Sequence, residues 1–309
     1  MLVLAALALP PLFYILCKAA SLVVSHIQAI AERSKIPLTL LGAFLGLLTS
    51  LPEFIIGMNA IANDIPDLSL GNLMGGLPVL FGGVMGFTIA LNGKIRTNGK
   101  TKELLPYMAY LLLPLLAGLD GHIGWFDAIV LIGLYVLLLL RLKPEFKNPE
   151  HPIKTSHASL WKTSSLTLVG VLVVAVSANL IVRLTLFLLA HSTLDVFGIG
   201  TVVFALGTNL PEVSVAFAAW QRGSVALTWS NIVGSAMANI LFIGLFALIK
   251  PFPVAFGMTH VFFAVWLVGL FGLFALFYHS ERVLRRNEGV AILAIFVTGL
   301  IIQTLLILR

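Results

Sequence analysis

The chain has 309 residues, of which 59% are hydrophobic and only 10% are charged, and its mean hydropathy is +1.05. Ordinary globular domains carry roughly 25% charged residues, so this composition excludes a water-soluble protein. The net charge of +6 does not indicate nucleic-acid binding, because the basic residues are concentrated in alternate loops between apolar stretches. The single cysteine, Cys17, excludes an intramolecular disulfide and a cysteine-based metal cluster.

The apolar stretches predict membrane-spanning helices. A helix needs about 20 mostly apolar residues to cross the hydrocarbon core, and continuous runs favour helices over strands. We therefore predict an all-α integral membrane protein with ten transmembrane helices. In chain order they cover residues 2–29, 36–63, 68–91, 103–118, 124–141, 163–190, 196–220, 225–249, 256–279 and 289–308.

The basic residues predict the orientation of these helices. Fifteen of the 19 Lys and Arg residues lie in the loops that follow the odd-numbered helices. Cytoplasmic loops carry an excess of positive charge, so these loops are predicted to be cytoplasmic and both termini to lie outside. We expect the membrane to be the cell (inner) membrane of a prokaryote.

One pentapeptide occurs twice. The segment TSLPE at residues 49–53 returns 159 residues later as TNLPE at residues 208–212. Two further pairs match at the same offset: Asn72 with Asn231, and Gly75 with Gly234. A duplicated unit inside membrane helices indicates a transporter built from internal repeats.

A polar connection with three prolines divides the predicted helices five and five. Because each half crosses the membrane an odd number of times, the second half enters from the opposite side. The sequence therefore predicts two inverted five-helix repeats. The first repeat covers residues 1–141, a cytoplasmic linker covers 142–162, and the second repeat covers 163–309.

Each pentapeptide places a glutamate directly after a helix-breaking proline, as Glu53 and Glu212. Ionisable groups inside a membrane indicate a functional site. Thr49 and Thr208 precede the glutamates by four residues and therefore lie on the same helical face. Oxygen ligands are those that Ca²⁺ prefers. We predict that the two glutamates jointly bind one divalent cation, with help from the two threonines.

Proline also removes one backbone hydrogen bond from a helix. The carbonyls one turn earlier, around Leu48 and Gly207, should therefore lose their donors. Such groups are tolerated at membrane depth where they line a polar cavity, so we predict them as further oxygen ligands.

The paired segments resemble the two α-repeats of the sodium/calcium exchanger superfamily, the cation/Ca²⁺ antiporters. The resemblance is most specific over residues 46–80 and 205–240. It implies secondary-active exchange of Ca²⁺ for Na⁺ or H⁺, by alternating access at a midplane site and without a cofactor. Its implied metal-site residues are Glu53, Glu212, Thr49, Thr208, Ser50, Asn209, Ser235, Asn239, Asn72 and Asn231. Asn72 and Asn231 also fit interhelical hydrogen bonding without a role as ligands.

The first repeat departs from the family pattern. Gly76 and Leu80 stand where family members carry Ser and Asn, and Ala236 replaces an Asn in the second repeat. The lost side-chain oxygens predict fewer Na⁺ sites than the full motif would hold. Proton coupling is the alternative, because a proton needs only a carboxylate.

Three other functions compete with antiport: a membrane enzyme that uses the glutamates as acid and base, a non-transporting paralogue, and a channel. An enzyme is disfavoured because the chain has no His-rich metal motif or Ser/Lys dyad. A central carboxylate pair favours binding and alternation over a channel. The expected partners are Ca²⁺, Na⁺ or H⁺ and the lipid bilayer, and the sequence leaves the oligomeric state open.

Overall fold

The computed structural model describes residues 2–33, 46–47, 49–97, 101–141, 160–221, 225–279 and 283–308. These residues are mostly α-helical. The helices are α1 (Leu2–Arg33), α2 (Leu51–Ala62), α3 (Pro66–Pro78), α4 (Gly86–Asn92), α5 (Thr101–Ala117), α6 (Trp125–Leu140), α7 (Leu160–Leu189), α8 (Val196–Ile199), α9 (Ala205–Thr208), α10 (Leu210–Gln221), α11 (Val225–Ile249), α12 (Met258–His279) and α13 (Arg286–Ile307).

Short elements of other types connect some of these helices. Two π-helical segments join α3 to α4 and α8 to α9, and they cover Val79–Met85 and Gly200–Phe204. A 3₁₀ turn, Gly118–Asp120, follows α5. The strands are β1 (Lys94–Arg96), β2 (His122–Ile123), β3 (Phe252–Pro253) and β4 (Val283–Arg285).

Five described helical stretches have the length and the composition to cross a membrane: Pro66–Asn92, Leu168–Leu189, Thr228–Ile249, Met258–His279 and Arg286–Ile307. Five shorter apolar helices accompany them: Leu7–Leu22, Leu51–Ala62, Leu104–Asp120, Trp125–Leu140 and Val196–Thr208. The structure thus shows a mostly helical protein with membrane-type helices, and each of the ten predicted spans overlaps a described helix.

Some predicted boundaries differ from the structure. The helix α1 continues to Arg33, four residues beyond the prediction, and α7 begins at Leu160, inside the predicted linker. The remainder of that linker lies outside the described residues, as do Leu48 and the first part of the second predicted span, up to residue 45. The third span is one continuous helical rod, because its π-helical segment joins α3 to α4 without a turn.

Two small antiparallel sheets tie the loops together. Strand β1 pairs with β4, and β2 pairs with β3. The 17-residue α5 joins β1 to β2, which at 1.5 Å per residue separates the sheets by about 25 Å. The sheets therefore lie at opposite ends of the helices, at a separation close to the thickness of a hydrocarbon core.

The repeat relation exchanges these two sheets. The repeat offset of 159 matches the positions of β1 with positions 253–255, next to β3 in the sequence. It matches the positions of β2 with positions 281–282, next to β4 in the sequence. The pair formed by β1 and β4 at one end thus corresponds to the pair formed by β3 and β2 at the other. Such an exchange of ends is what an inverted repeat requires.

Glycines bring the repeat helices into backbone contact. A Cβ atom added at Gly75 would lie 2.6 Å from Cα of Thr201 and 2.8 Å from Cβ of Ala205. A Cβ atom added at Gly46 would lie 2.6 Å from Cα of Gly234. Positions 46 and 205 are matched by the repeat, and so are 75 and 234, so the same crossing occurs twice.

The pair of helices α1 and α7 packs beside this central assembly. Side chains such as Leu16 and Val174 form a separate apolar cluster with Ile56 of α2. A polar contact also joins the pair to α2, because Asn179 donates a hydrogen bond to Asn59 Oδ1 at 3.0 Å. Helix α2 and the broken helix α9–α10 are the elements that contact this peripheral pair.

The strand pairing generates a labelling prediction. In a Cys17→Ser background, Lys94→Cys and Arg285→Cys should react with an impermeant maleimide from the same membrane face. His122→Cys should react from the opposite face, because the second sheet lies at the other end of α5. Labelling of right-side-out and inverted vesicles measures this, and reaction of positions 94 and 285 from different faces would contradict the pairing.

Candidate cation-binding site

The two pentapeptides break their helices in the same way. Ser50 has φ −81° and ψ 13°, and Asn209 has φ −82° and ψ 10°. Both conformations lie outside the helical region. A new helix starts at the next residue: α2 after Ser50, and α10 after Asn209. Proline at the second position of each new helix is favourable there, because the first turn has no hydrogen-bond acceptor for its amide. Each break thus begins a helix with a glutamate in its first turn.

All ten predicted site residues lie in the protein interior. Each is 0 or 1% exposed, and together they come from both halves of the chain. They are Thr49, Ser50, Glu53, Asn72, Thr208, Asn209, Glu212, Asn231, Ser235 and Asn239. Burial of so many polar groups is costly unless each finds a partner, so their partners decide the character of the site.

One group of oxygens surrounds Ser235 on α11. Its Oγ lies 2.9 Å from Oγ1 of Thr49, 3.2 Å from the carbonyl oxygen of Gly46 and 3.4 Å from Oε1 of Glu212. Two hydroxyl protons serve these four oxygens, so several lone pairs remain available to a cation. Gly46 was not predicted as a site residue. The sequence feature that could have identified Gly46 is the small residue Ala205 at the matched position, because small residues at both positions suggest a close helix crossing.

The matched group around Glu53 has fewer hydroxyl groups. The Thr208 hydroxyl lies beside the Glu53 carboxylate but donates to Oδ1 of Asn72 at 3.1 Å. Position 76, which matches Ser235, is a glycine. Both carboxylate oxygens of Glu53 are buried without a hydrogen-bond partner in the described part of the chain.

Both glutamates are buried, and the helix break before each one contacts the other half of the chain, through Thr49 with Ser235 and through Thr208 with Asn72. Besides the two Glu53 oxygens, Oε2 of Glu212 is buried and has no partner in the described ranges. Three carboxylate oxygens thus lack a donor in an interior where an unpaired charge costs several kcal/mol. A bound divalent cation or protons would remove this cost.

Two asparagines occupy the space left by Gly76. A Cβ atom at this position would lie 2.6 Å from Nδ2 of Asn239 and 3.2 Å from Nδ2 of Asn209. Asn239 donates to the carbonyl oxygen of Leu73, and Asn209 donates to that of Ala205. Their Oδ1 atoms, which are buried, have no hydrogen-bond partner among the residues described. The wall therefore carries amide oxygens from the second repeat instead of a hydroxyl from the first.

The prediction that the Gly207 carbonyl is left without a hydrogen-bond donor is wrong, and its role as an ion ligand stays a prediction. This carbonyl does lie one turn before Pro211, but it accepts a hydrogen bond from the Cys17 thiol, with Sγ at 3.0 Å. The Cys17 thiol of α1 thus replaces the backbone amide donor that Pro211 lacks. Sequence reasoning had found no partner for Cys17, because the contact joins residues 190 positions apart.

The donor set also limits the type of metal. Among the described residues, no group of three or more His, Cys, Asp or Glu side chains could hold a metal ion. Binding would therefore depend on the glutamate pair together with hydroxyl, amide and backbone oxygens. This oxygen-rich set suits hard cations.

Comparison with known proteins adds independent information. The family model described as sodium/calcium exchanger protein matches residues 5–142 and 163–305. The uncharacterized membrane protein MJ0091 of Methanocaldococcus jannaschii is 28% identical over 196 residues, which cover 62% of this chain. The match spans 64% of the length of that relative.

Solved structures share the fold over nearly the whole chain. A structure of the sodium-calcium exchanger NCX_Mj, soaked with Na⁺ and Sr²⁺, is 26% identical and has a TM-score of 0.66, with 97% of this chain and 99% of that chain covered. The H⁺/Ca²⁺ exchanger CAX has a TM-score of 0.77 at 18% identity, covering 96% of this chain and 82% of that chain, which shows the fold alone. Because the family model matches most of both halves, this chain belongs to the sodium/calcium exchanger protein family.

Proposed function

We propose that the chain is a secondary-active antiporter that exchanges Ca²⁺ for Na⁺ or H⁺ by alternating access. Ten transmembrane helices in two inverted five-helix repeats would enclose a single midplane site. Family membership, the matched helix breaks and the exchange of the two sheets support this architecture. One solved relative is a sodium-calcium exchanger and another is an H⁺/Ca²⁺ exchanger.

The pairing of Glu53 and Glu212 is the observation that carries the proposal. Two buried carboxylates, three of whose oxygens have no donor among the described residues, match the charge of one divalent cation. Ca²⁺ takes six to eight oxygen ligands at 2.3–2.6 Å. Thr49, Ser235 and the Gly46 carbonyl would contribute from one side.

The other predicted ligands would complete the shell. Thr208 and Asn72 lie on the Glu53 side, where Asn209 and Asn239 offer amide oxygens. Ser50 and Asn231 are equally buried. Asn72 would contribute to the site by orienting the Thr208 hydroxyl. This contribution is compatible with the alternative role of Asn72 in interhelical hydrogen bonding.

Charge repulsion would make the cycle an exchange. When the divalent cation leaves, the two carboxylates repel each other in a medium of low dielectric constant. The empty site would then return across the membrane only after it takes up Na⁺ or protons. Binding of either class of ion would exclude the other, which is the requirement for antiport.

We place the protein in the cell (inner) membrane of a prokaryote with both termini outside. The pairing of the basic segments β1 and β4 at one end supports this orientation. The repeats would cover 1–141 and 163–309 with a cytoplasmic linker between them, and the family match is interrupted at the same place. We propose no enzymatic role. An enzyme that used the two glutamates as acid and base would not need the duplicated helix break.

A non-transporting paralogue is the second candidate. It is favoured by the loss of hydroxyl and amide groups at Gly76 and Leu80, which leaves the first-repeat wall dependent on residues of the other half. Transport measurements on reconstituted protein separate the two candidates.

Neutralising either glutamate should abolish exchange. In liposomes, Glu53→Gln and Glu212→Gln should each weaken Ca²⁺ binding by about 100-fold or more, since one partner of a buried charge pair is worth about 3 kcal/mol or more. Gradient-driven uptake of radioactive Ca²⁺ measures this. The matched control is Glu288→Gln, which changes an exposed carboxylate that caps α13. Normal uptake by either buried variant would exclude the proposed site.

The unequal walls predict the coupling ion. A Na⁺ ion needs its own cage of oxygens, so we expect fewer bound Na⁺ than the full family motif would hold, and a response of Ca²⁺ uptake to a pH gradient. Gly76→Ser combined with Leu80→Asn should strengthen Na⁺ dependence, because the new hydroxyl would displace the flexible Asn239 amide and supply oxygens. Steep, cooperative Na⁺ dependence of the unmodified protein, without any response to pH, would contradict this idea.

Gly76→Ala combined with Leu80→Val is the control for packing. These changes also displace the Asn239 amide but add no oxygen. If they increase Na⁺ dependence as much as the Ser and Asn variant, the effect comes from the displaced amide and the oxygen argument is wrong.

A further inference from the structure

An apolar groove of about 610 Å³ lies between helices of the two halves, on the outside of the molecule. Its walls come from the rod formed by α3, its π-helical segment and α4, from the broken helix α9–α10, and from α13. The lining is almost entirely apolar and includes Phe87, Leu91, Val213, Phe217 and Leu293. The proposed transport cycle assigns no role to this groove.

The repeat explains why the groove exists. At the place that the repeat relates to the groove, Phe54 of α2 and Phe242 of α11 pack edge to face with ring centroids 4.9 Å apart. The repeat offset of 159 residues matches these positions with Val213 and Gly83, both of which line the groove. Two aromatic rings are thus replaced by an isopropyl group and a hydrogen atom. The ring of Phe296 takes part of this space, with Cε1 3.2 Å from a Cβ atom added at Gly83, and the rest stays open as the groove.

The groove faces the lipid. Phe87, Val213 and Phe217 are 48, 43 and 46% exposed, and Phe87 lies on a helix that is long and apolar enough to cross a membrane. Water needs two to four polar partners to occupy a cavity, and this lining offers almost none. A flexible hydrocarbon chain is the occupant that fits both the apolar surface and the surrounding medium.

One end of the groove meets a basic cluster. Gly289 of α13 packs against Ala90 of α4, and the amide of Arg286 donates to the carbonyl oxygen of Gly93 at 2.9 Å. The exposed side chains of Lys94 and Arg286 therefore lie just beyond Leu91, where the groove ends. Basic pockets at this depth bind the headgroups of anionic lipids.

We propose that this groove is a binding site for one anionic phospholipid. An acyl chain occupies the space left by the missing ring pair, and the headgroup phosphate contacts Lys94 and Arg286. Leu206 and Val213, which line the groove, flank the helix break that carries Glu212. The bound lipid therefore packs directly against the helix that supplies half of the cation site.

Native mass spectrometry of the detergent-purified protein tests the site without measuring transport. Titration with phosphatidylglycerol and with phosphatidylcholine of the same acyl chains should show one tightly bound phosphatidylglycerol per protein. Val213→Phe restores a ring at the matched position and should remove this binding. Lys94→Gln with Arg286→Gln should weaken it by roughly 30-fold, from the loss of two charges near the membrane surface.

The matched control is Lys250→Gln, which removes a positive charge at the opposite end of the molecule, where Lys250 pairs with Asp64. It should leave phosphatidylglycerol binding unchanged. Equal binding of the two lipids, or tight phosphatidylglycerol binding that survives both the groove variant and the charge variant, would overturn the proposal. The charge variant alters only exposed side chains, so it decides the question even if Val213→Phe fails to fold.

Discussion

The structure depends on the burial of two carboxylates at the interruptions of two membrane helices. An isolated charge in this environment costs several kcal/mol, and a broken helix exposes backbone groups that lipid cannot satisfy. Both costs are reduced only if the interruptions face each other inside the protein. The glycine crossings at positions 46 and 75 bring the helices close enough for this, because any side chain there would collide with the backbone opposite.

The two matched halves satisfy this constraint by different means. Around Glu212, hydroxyl groups from Thr49 and Ser235 meet the carbonyl of Gly46. Around Glu53, Gly76 replaces the serine, and the side-chain amides of Asn209 and Asn239 fill the space. A hydroxyl can donate or accept, whereas each of these amides has already used a donor on a helix carbonyl. The site is therefore symmetric in its backbone and asymmetric in the ligands it can offer.

Asymmetry also appears at the periphery of the repeats. A thiol on α1 supplies the hydrogen bond that Pro211 removes from Gly207, while the position that matches Cys17 is Val176, an exposed aliphatic residue. Between the two halves, an aromatic pair at one place corresponds to a groove at the place that the repeat relates to it. The duplicated backbone thus tolerates different side chains at helix contacts as well as among the ligands.

The sequence by itself determined the helical membrane architecture and the positions of the helix breaks. Hydrophobic length sets where helices form, and proline lacks the amide hydrogen that a continuous helix needs, so both features are local. The 159-residue offset and the family resemblance together identified ten polar residues that the structure places in the interior. Only the tertiary structure decided their partners, such as Cys17 on the Gly207 carbonyl, Asn239 beside Gly76 and Arg286 beside Gly93. Those contacts join residues more than 150 positions apart, and they depend on helix register and rotation, which close packing of side chains sets and local sequence does not encode.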